Sequence, residues 1–194
     1  MTSAINSKAA LRKRALEARR SLTERERIAA SAKICGHIIH SHEFMSARTI
    51  ACYLPTDDEA DPTAIIERAW RANKRVFAPV TDTHGAMDFC EITSDSIVTR
   101  SKYGIWEPLS GAMINPRALD IVITPLAAFD ENNNRIGMGG GFYDRCFQFL
   151  GNRRKWLRPK LIGIAFECQR VSRITPNAWD IRLYRAVTDT ELVR

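Results

Sequence analysis

Four glycines fall within five residues in "RIGMGGGFYD" (135–144), with Arg135 before them and Asp144 after them. No other part of the chain is so dense in glycine. Glycine lets the backbone approach a ligand closely, so successive N–H groups can cradle an anion, and a helix starting there adds a favourable dipole. Arg135 offers a fixed charge to the same anion. Asp144, in the first helical turn, can hold a metal beside phosphates; magnesium commonly uses one or two carboxylates plus substrate oxygens. Two familiar nucleotide motifs are absent. A P-loop ends in Gly-Lys-Ser/Thr, and the dinucleotide fingerprint needs glycine where Phe142 stands. The competing reading is a flexible loop leading into a helix.

A second stretch, "YLPTDDEADP" (53–62), crowds four carboxylates between a strand end and a helix start. Asp61 can cap the helix that Pro62 opens. Asp57 and Asp58 read as a solvated acidic turn. Glu59 has no capping role and sits where a ligand would lie. In "YGIWEP" (103–108), Tyr103 and Trp106 either stack on a planar ring or form part of the core. His37, His40, His42 and His84 suggest no chemistry beyond ordinary surface or core placement.

The elements that must position these residues alternate. Residues 7–20 form an expected helix with Leu11, Ala15, Ala18 and Leu22 on one face. Lys8, Arg12 and Arg19 flank that stripe. A second helix follows, capped at Ser21 or Thr23, with Ile28, Cys35, Ile38 and Ile39 inward. Strands are expected at 49–55, 75–80, 87–92, 120–125, 160–166 and 185–190. Helices are expected after Pro62, with Ile65, Ile66 and Ala69 inward, and over 141–150. "DIVITP" (120–125) is apolar on both faces, as in a central parallel strand. The fold class is therefore α/β: three layers, with a largely parallel open sheet and helices on both faces, in one domain spanning 1–194. In such sheets ligands lie beyond the carboxyl ends of strands, and the glycine stretch follows one.

Composition narrows the function. The 194 residues carry a net charge of +7. Residues 1–30 hold eight Lys/Arg against three Glu, and residues 145–173 hold eight against one. The rest is mildly acidic, so an anionic ligand is one reading and two solvated surfaces the other. No run of about 20 apolar residues suggests a membrane span, and the N-terminus has no apolar signal core. The five cysteines show no C-x-x-C spacing, which argues against structural zinc and suits a reducing cytoplasm.

Together, "PLAAFDENNNRIGMGGGFYDR" (125–145), "YLPTDDEADP" (53–62) and "LIGIAFECQ" (161–169) resemble the 5-formyltetrahydrofolate cyclo-ligase family. The resemblance runs from the N-terminal Lys/Arg helix to "WDIRLYRAVTD" (179–189). It implies conversion of 5-formyltetrahydrofolate and ATP to 5,10-methenyltetrahydrofolate, ADP and phosphate, with magnesium as the metal. It also implies a cytoplasmic monomer with no nucleic-acid or membrane partner. By the family's motifs, Lys8, Arg12 and residues Arg135, Ile136, Gly137, Met138, Gly139, Gly140, Gly141, Phe142 and Tyr143 would form the ATP site. Glu59, Tyr103, Trp106, Met138, Gly141 and Phe142 would border the folate. Asp144 and Asp180 would hold magnesium, and Arg135 and Asp144 would be catalytic. Some relatives carry Arg at the place of Met138, Lys at Gly140 and Tyr at Phe142. Backbone N–H groups and Arg135 would then carry more of the phosphate binding here.

Two other classes share these features. A small-molecule kinase would use the same ATP machinery but leave a stable phosphorylated product. A nucleic-acid module would explain the charge, but the basic helix lacks interleaved aromatics and the glycine stretch would have no role.

Overall fold

The computed structural model describes residues 7–82, 85–151 and 158–193. His84 and part of the second basic segment, residues 152–157, lie outside them. Helix α1 (Lys8–Arg20) starts at Ser7, whose side chain accepts the Ala10 N–H. Helix α2 (Glu24–Ile39) starts at a full capping box between Thr23 and Glu26. A short α3 (His42–Ser46) leads to β1 (Thr49–Cys52), α4 (Thr63–Arg71), β2 (Arg75–Thr81) and β3 (Met87–Ile92). Then come β4 (Val98–Arg100), β5 (Trp106–Pro108), β6 (Met113–Ile114), β7 (Ile121–Pro125), β8 (Ala128–Phe129) and β9 (Arg135–Ile136). Helix α5 (Phe142–Cys146), β10 (Lys160–Ile164) and β11 (Arg185–Val187) complete the fold.

Seven strands form one sheet in the order β11-β10-β7-β1-β2-β3-β6. The first five run parallel; β3 and β6 close the far edge antiparallel. Because side chains alternate along a strand, each central strand feeds two cores. Ile50, Cys52, Val76, Ala78, Ile121, Ile123, Ile162 and Ile164 meet Ile34, Ile38, Phe44, Ile65 and Ile66 of α2, α3 and α4 on one face. Ala51, Phe77, Val122, Leu161 and Ala186 meet Phe147, Leu126, Ile181 and Leu183 on the other, with Phe142, Tyr143 and Cys146 of α5 packed against them. The expected three-layer α/β architecture is what forms.

Several expectations shift. The helix expected over 141–150 stops at Cys146, and a 3₁₀ turn over Gln148–Leu150 follows. That turn brings both Phe149 and Leu150 against the lower core, which one regular helical face would not do. Ile28, expected inward on α2, is 64% exposed. The buried stripe begins instead at Ser31, whose hydroxyl accepts the Asp61 N–H at 3.1 Å. Asp61 does cap α4 from outside, accepting the Thr63 N–H at 2.8 Å.

Helix α1 does not lie on the sheet. Leu11 and Ala15 pack with Ala128, Ile136, Val171 and Ile174 in a separate small cluster over the β8–β9 hairpin. Its third inward position is not the expected Ala18 but Arg19, whose side chain is 3% exposed and reaches Asp58 at 2.9 Å. Asp58 is thus an ion-pair anchor and not a solvated turn residue.

Candidate functional site

The strand order reverses direction at the β1–β7 boundary: β2 follows on one side of β1, and β7, β10 and β11 on the other. A crevice must open beyond the carboxyl ends at such a point. There a cavity of about 400 Å³ is lined by Tyr53, Leu54 and Glu59 after β1, Pro79 and Thr81 at the end of β2, and Pro125 at the end of β7. Its remaining walls come from Thr56, Met87, Tyr103, Gly104, Ile105 and Glu107 and from the glycine turn between Arg135 and Asp144. Glu59, Tyr103, Arg135 and Asp144, up to 85 residues apart in sequence, thus share one chamber.

The glycine turn is built by backbone need. Gly139 and Gly141 adopt φ of +113° and +66°, which side chains resist. At Gly140 an added Cβ would sit 2.6 Å from Cε2 of Phe142. The N–H groups of Gly137 through Gly141 donate no hydrogen bond among the described residues. Helix α5 behind the turn spans only five residues, so its dipole is small and the free N–H groups and side-chain charges must dominate.

Arg135 is anchored on β9 with a side chain only 4% exposed. Its Nη2 donates to Asp144 Oδ1 at 2.8 Å, while its Nε is buried without a partner. Asp144 Oδ1 also accepts the Ile181 N–H at 3.0 Å, and Oδ2 has no partner among the described residues. Lys8 on α1 pairs with Asp180, whose carboxylate also accepts the Asn177 N–H at 2.7 Å. Arg12, one turn on, donates from Nε to the Gly137 carbonyl at 2.8 Å. Lys8, Arg12, Arg135, Asp144 and Asp180 therefore converge on the glycine turn and the segment just after Asp180.

The other residues separate into groups. Phe142 meets Tyr103 edge to face, with centroids 5.1 Å apart, at the cavity wall. Met138 is 54% exposed at the rim. Ile136 points into the α1 cluster and lies outside the cavity lining. The Trp106 ring lies outside the cavity lining and stacks under the Arg100 guanidinium at 4.7 Å, on the β4–β5 hairpin. Gly139 also lies outside the lining. Burial, with the Glu59 carboxylate nearby, pushes the Tyr143 phenol far up, so it stays protonated. Glu59 Oε2 accepts the Thr56 N–H at 3.0 Å, leaving Oε1 free among the described residues.

Sequence reasoning missed Glu107. It is 8% exposed, on β5, and its Oε1 accepts both the Thr81 N–H (3.1 Å) and the Thr81 hydroxyl (2.6 Å). Nothing in "IWEP" sets it apart from a surface carboxylate until β5 is seen to pack beside β2.

Fold and site together define a doubly wound α/β protein with a ligand cavity at its switch point, apolar along one wall and lined by free N–H groups and an arginine along another. The chain belongs to the 5-formyltetrahydrofolate cyclo-ligase family, whose model matches residues 4–189, and it is an enzyme of that class, a ring-forming carbon–nitrogen ligase. It is 36% identical over 170 residues to the 5-formyltetrahydrofolate cyclo-ligase of Haemophilus influenzae, covering 86% of this chain and 89% of that one. The enzyme of the same name from Escherichia coli K12 is 35% identical over 180 residues, covering 90% and 96%. The solved 5,10-methenyltetrahydrofolate synthetase of Aquifex aeolicus overlays with a TM-score of 0.80 at 30% identity, covering 96% of this chain and 92% of that one. The synthetase of Mycoplasma pneumoniae, at 24% identity and a TM-score of 0.74, shares the fold.

Proposed function

We propose that this chain converts 5-formyltetrahydrofolate to 5,10-methenyltetrahydrofolate with consumption of ATP, in the presence of magnesium, releasing ADP and phosphate. The observation that carries this reading is the junction of two surfaces in one cavity. The apolar wall (Leu54, Pro79, Met87, Ile105, Phe142) suits a flat ring system, and the glycine turn with Arg135 suits phosphates.

The chemistry asks for such a junction. An N5-formyl group is an amide, so its carbon is a poor electrophile and its oxygen a poor leaving group. Transfer of the γ-phosphoryl group to the formyl oxygen breaks the terminal phosphoanhydride and forms an imino-phosphate. N10 of the same folate then attacks the formyl carbon, loses its proton, and phosphate departs with the former formyl oxygen. Both steps need positioning and charge neutralisation more than a protein nucleophile. Arg135 and the free N–H groups of residues 137–141 would bind the charge that builds on the transferring group. Lys8 and Arg12 would bind the nucleotide from α1, and Tyr103, Phe142 and Glu59 would hold the folate.

Asp144, with a free carboxylate oxygen beside the turn, fits a magnesium ion that would screen the phosphates. Asp180 would be the second carboxylate, on release from Lys8. The five free cysteines fit a reducing cytoplasm. Mixing the protein with 5-formyltetrahydrofolate, ATP and magnesium should give the methenyl-folate absorbance. Omitting ATP or adding EDTA should abolish it. A stable phosphorylated product without that absorbance would instead favour a kinase.

A further inference from the structure

The mechanism above uses the glycine turn and leaves another carboxylate of the same cavity, Glu107, without a task. Its placement is costly. A charged side chain 8% exposed stands among Pro79, Met87 and Ile105, with no cation paired to it among the described residues. Thr81 satisfies Oε1 twice, which also fixes the carboxylate plane. Oε2 accepts nothing among the described residues, yet it is not a sealed orphan, since the only buried side-chain polar atoms found without partners there are on Arg135 and Arg185. Glu107 lines the cavity. A carboxylate oxygen held in one orientation in a largely buried residue and lacking a donor is compensated when a ligand brings one.

The ring of a tetrahydrofolate brings donors on one edge. Its pyrimidine carries a 2-amino group beside a protonated N3, and that edge lies at the far end of the bicycle from N5. With the formyl group held at the glycine turn, the donor edge would lie away from Arg135. Glu59 is the other carboxylate in the cavity, but it is half-buried on a turn and also lines a second, acidic groove with Glu24, Asp57 and Asp61.

We propose that Glu107 is the specificity residue for the folate ring, its Oε2 accepting hydrogen bonds from the 2-amino and N3–H edge of the pterin while Thr81 holds Oε1. This rests on the folate reading above. A glutamine at 107 keeps an oxygen for Thr81 but turns an amide N–H toward a donor edge, so recognition fails while the wall stays filled.

The test compares binding of 5-formyltetrahydrofolate with its 2-deamino analogue, by calorimetry without ATP, in the wild type, E107Q and E59Q. The wild type should bind the analogue roughly tenfold to a hundredfold more weakly, the range for one hydrogen bond to a charged group. In E107Q the natural ligand should weaken to a similar extent and the discrimination should collapse to about unity. E59Q should keep it. A purely structural role at 107 would lower the melting temperature and leave the discrimination ratio unchanged, which overturns the proposal. So does equal affinity of the wild type for the two ligands, a result that needs no variant to fold. Collapse in E59Q with retention in E107Q would likewise overturn it. Failure of the wild type to bind 5-formyltetrahydrofolate at all would instead refute the folate reading itself.

Discussion

Arg135 and Asp144 bracket the glycine turn and close it: Nη2 of one lies 2.8 Å from Oδ1 of the other. The same Asp144 oxygen receives the Ile181 N–H, so one carboxylate joins β9, α5 and the C-terminal segment. Asp144→Asn should therefore do two things. Turnover should fall sharply with a weakened magnesium dependence, and stability should drop by about 1–3 kcal/mol as a buried guanidinium loses its charged partner. Magnesium titration of the rate beside a thermal melt reads both. Normal kinetics in a folded variant would remove Asp144 from metal binding.

Lys8 and Arg12 lie one turn apart on α1, so they share a face. On sequence grounds, replacing both with alanine should cost ATP affinity and scarcely touch stability. The contacts to Asp180 and to the Gly137 carbonyl change the second expectation. The double variant should raise the KM for ATP at least several-fold, one charged contact contributing about 1.5–3 kcal/mol. It should also melt a few degrees earlier, by roughly the 1 kcal/mol expected for partly exposed contacts. An unaltered KM for ATP would leave these cations a docking role alone.

Glu59→Gln should raise the KM for 5-formyltetrahydrofolate and spare ATP. Glu59 lines the cavity wall after β1, while the cations that suit a nucleotide come from α1 and β9. Steady-state titration of each substrate decides; a defect confined to ATP would move this carboxylate to the nucleotide side.

At the other end of the sheet, Glu43 accepts from Tyr184 at 2.9 Å and from Lys160 at 3.3 Å, with Arg185 at 3.6 Å. Burial opposes its charge, but the backbone N–H, Tyr184, Arg185 and Lys160 outweigh it, and its acidity is strengthened. The folded pKa lies below the unfolded value of about 4.3. Its contribution is therefore full above that value and lost as pH falls through the folded pKa. Glu43→Gln should melt several degrees below the wild type at pH 7, and the gap should close near pH 3. A gap of constant size across that range would show that the charge is not what stabilises.

Regular elements were legible where a period repeats. β3 runs over the expected 87–92, and β7 is apolar on both faces because two cores flank it. The two- and three-residue strands β4, β5, β6, β8 and β9 are too short to carry a period, although β11, equally short, is expected from the apolar residues within 185–190. The glycine turn was legible because its demands are local. Two φ angles and one close approach are written in consecutive residues. Partners distant in sequence were not. Arg19 reads as a solvated flank of α1 until Asp58, 39 residues on, takes it inward. Trp106 reads as a ring-stacking or core residue, and its contact with Arg100 on β4 has no signal in the sequence.

The clasp made by α1 has a consequence for how the chain assembles. Its contacts reach forward to Asp58, Gly137 and Asp180, over separations of 39, 125 and 172 residues. During synthesis this helix leaves the ribosome before everything it grips. Such long loops close slowly. The sheet can collapse around its two cores without α1, since the helix has its own small cluster. The docking of α1 is therefore expected late in folding, with its Leu11 stripe open until then. A rigid fusion placed ahead of Ser7 should accordingly slow the gain of activity after refolding far more than the formation of the sheet.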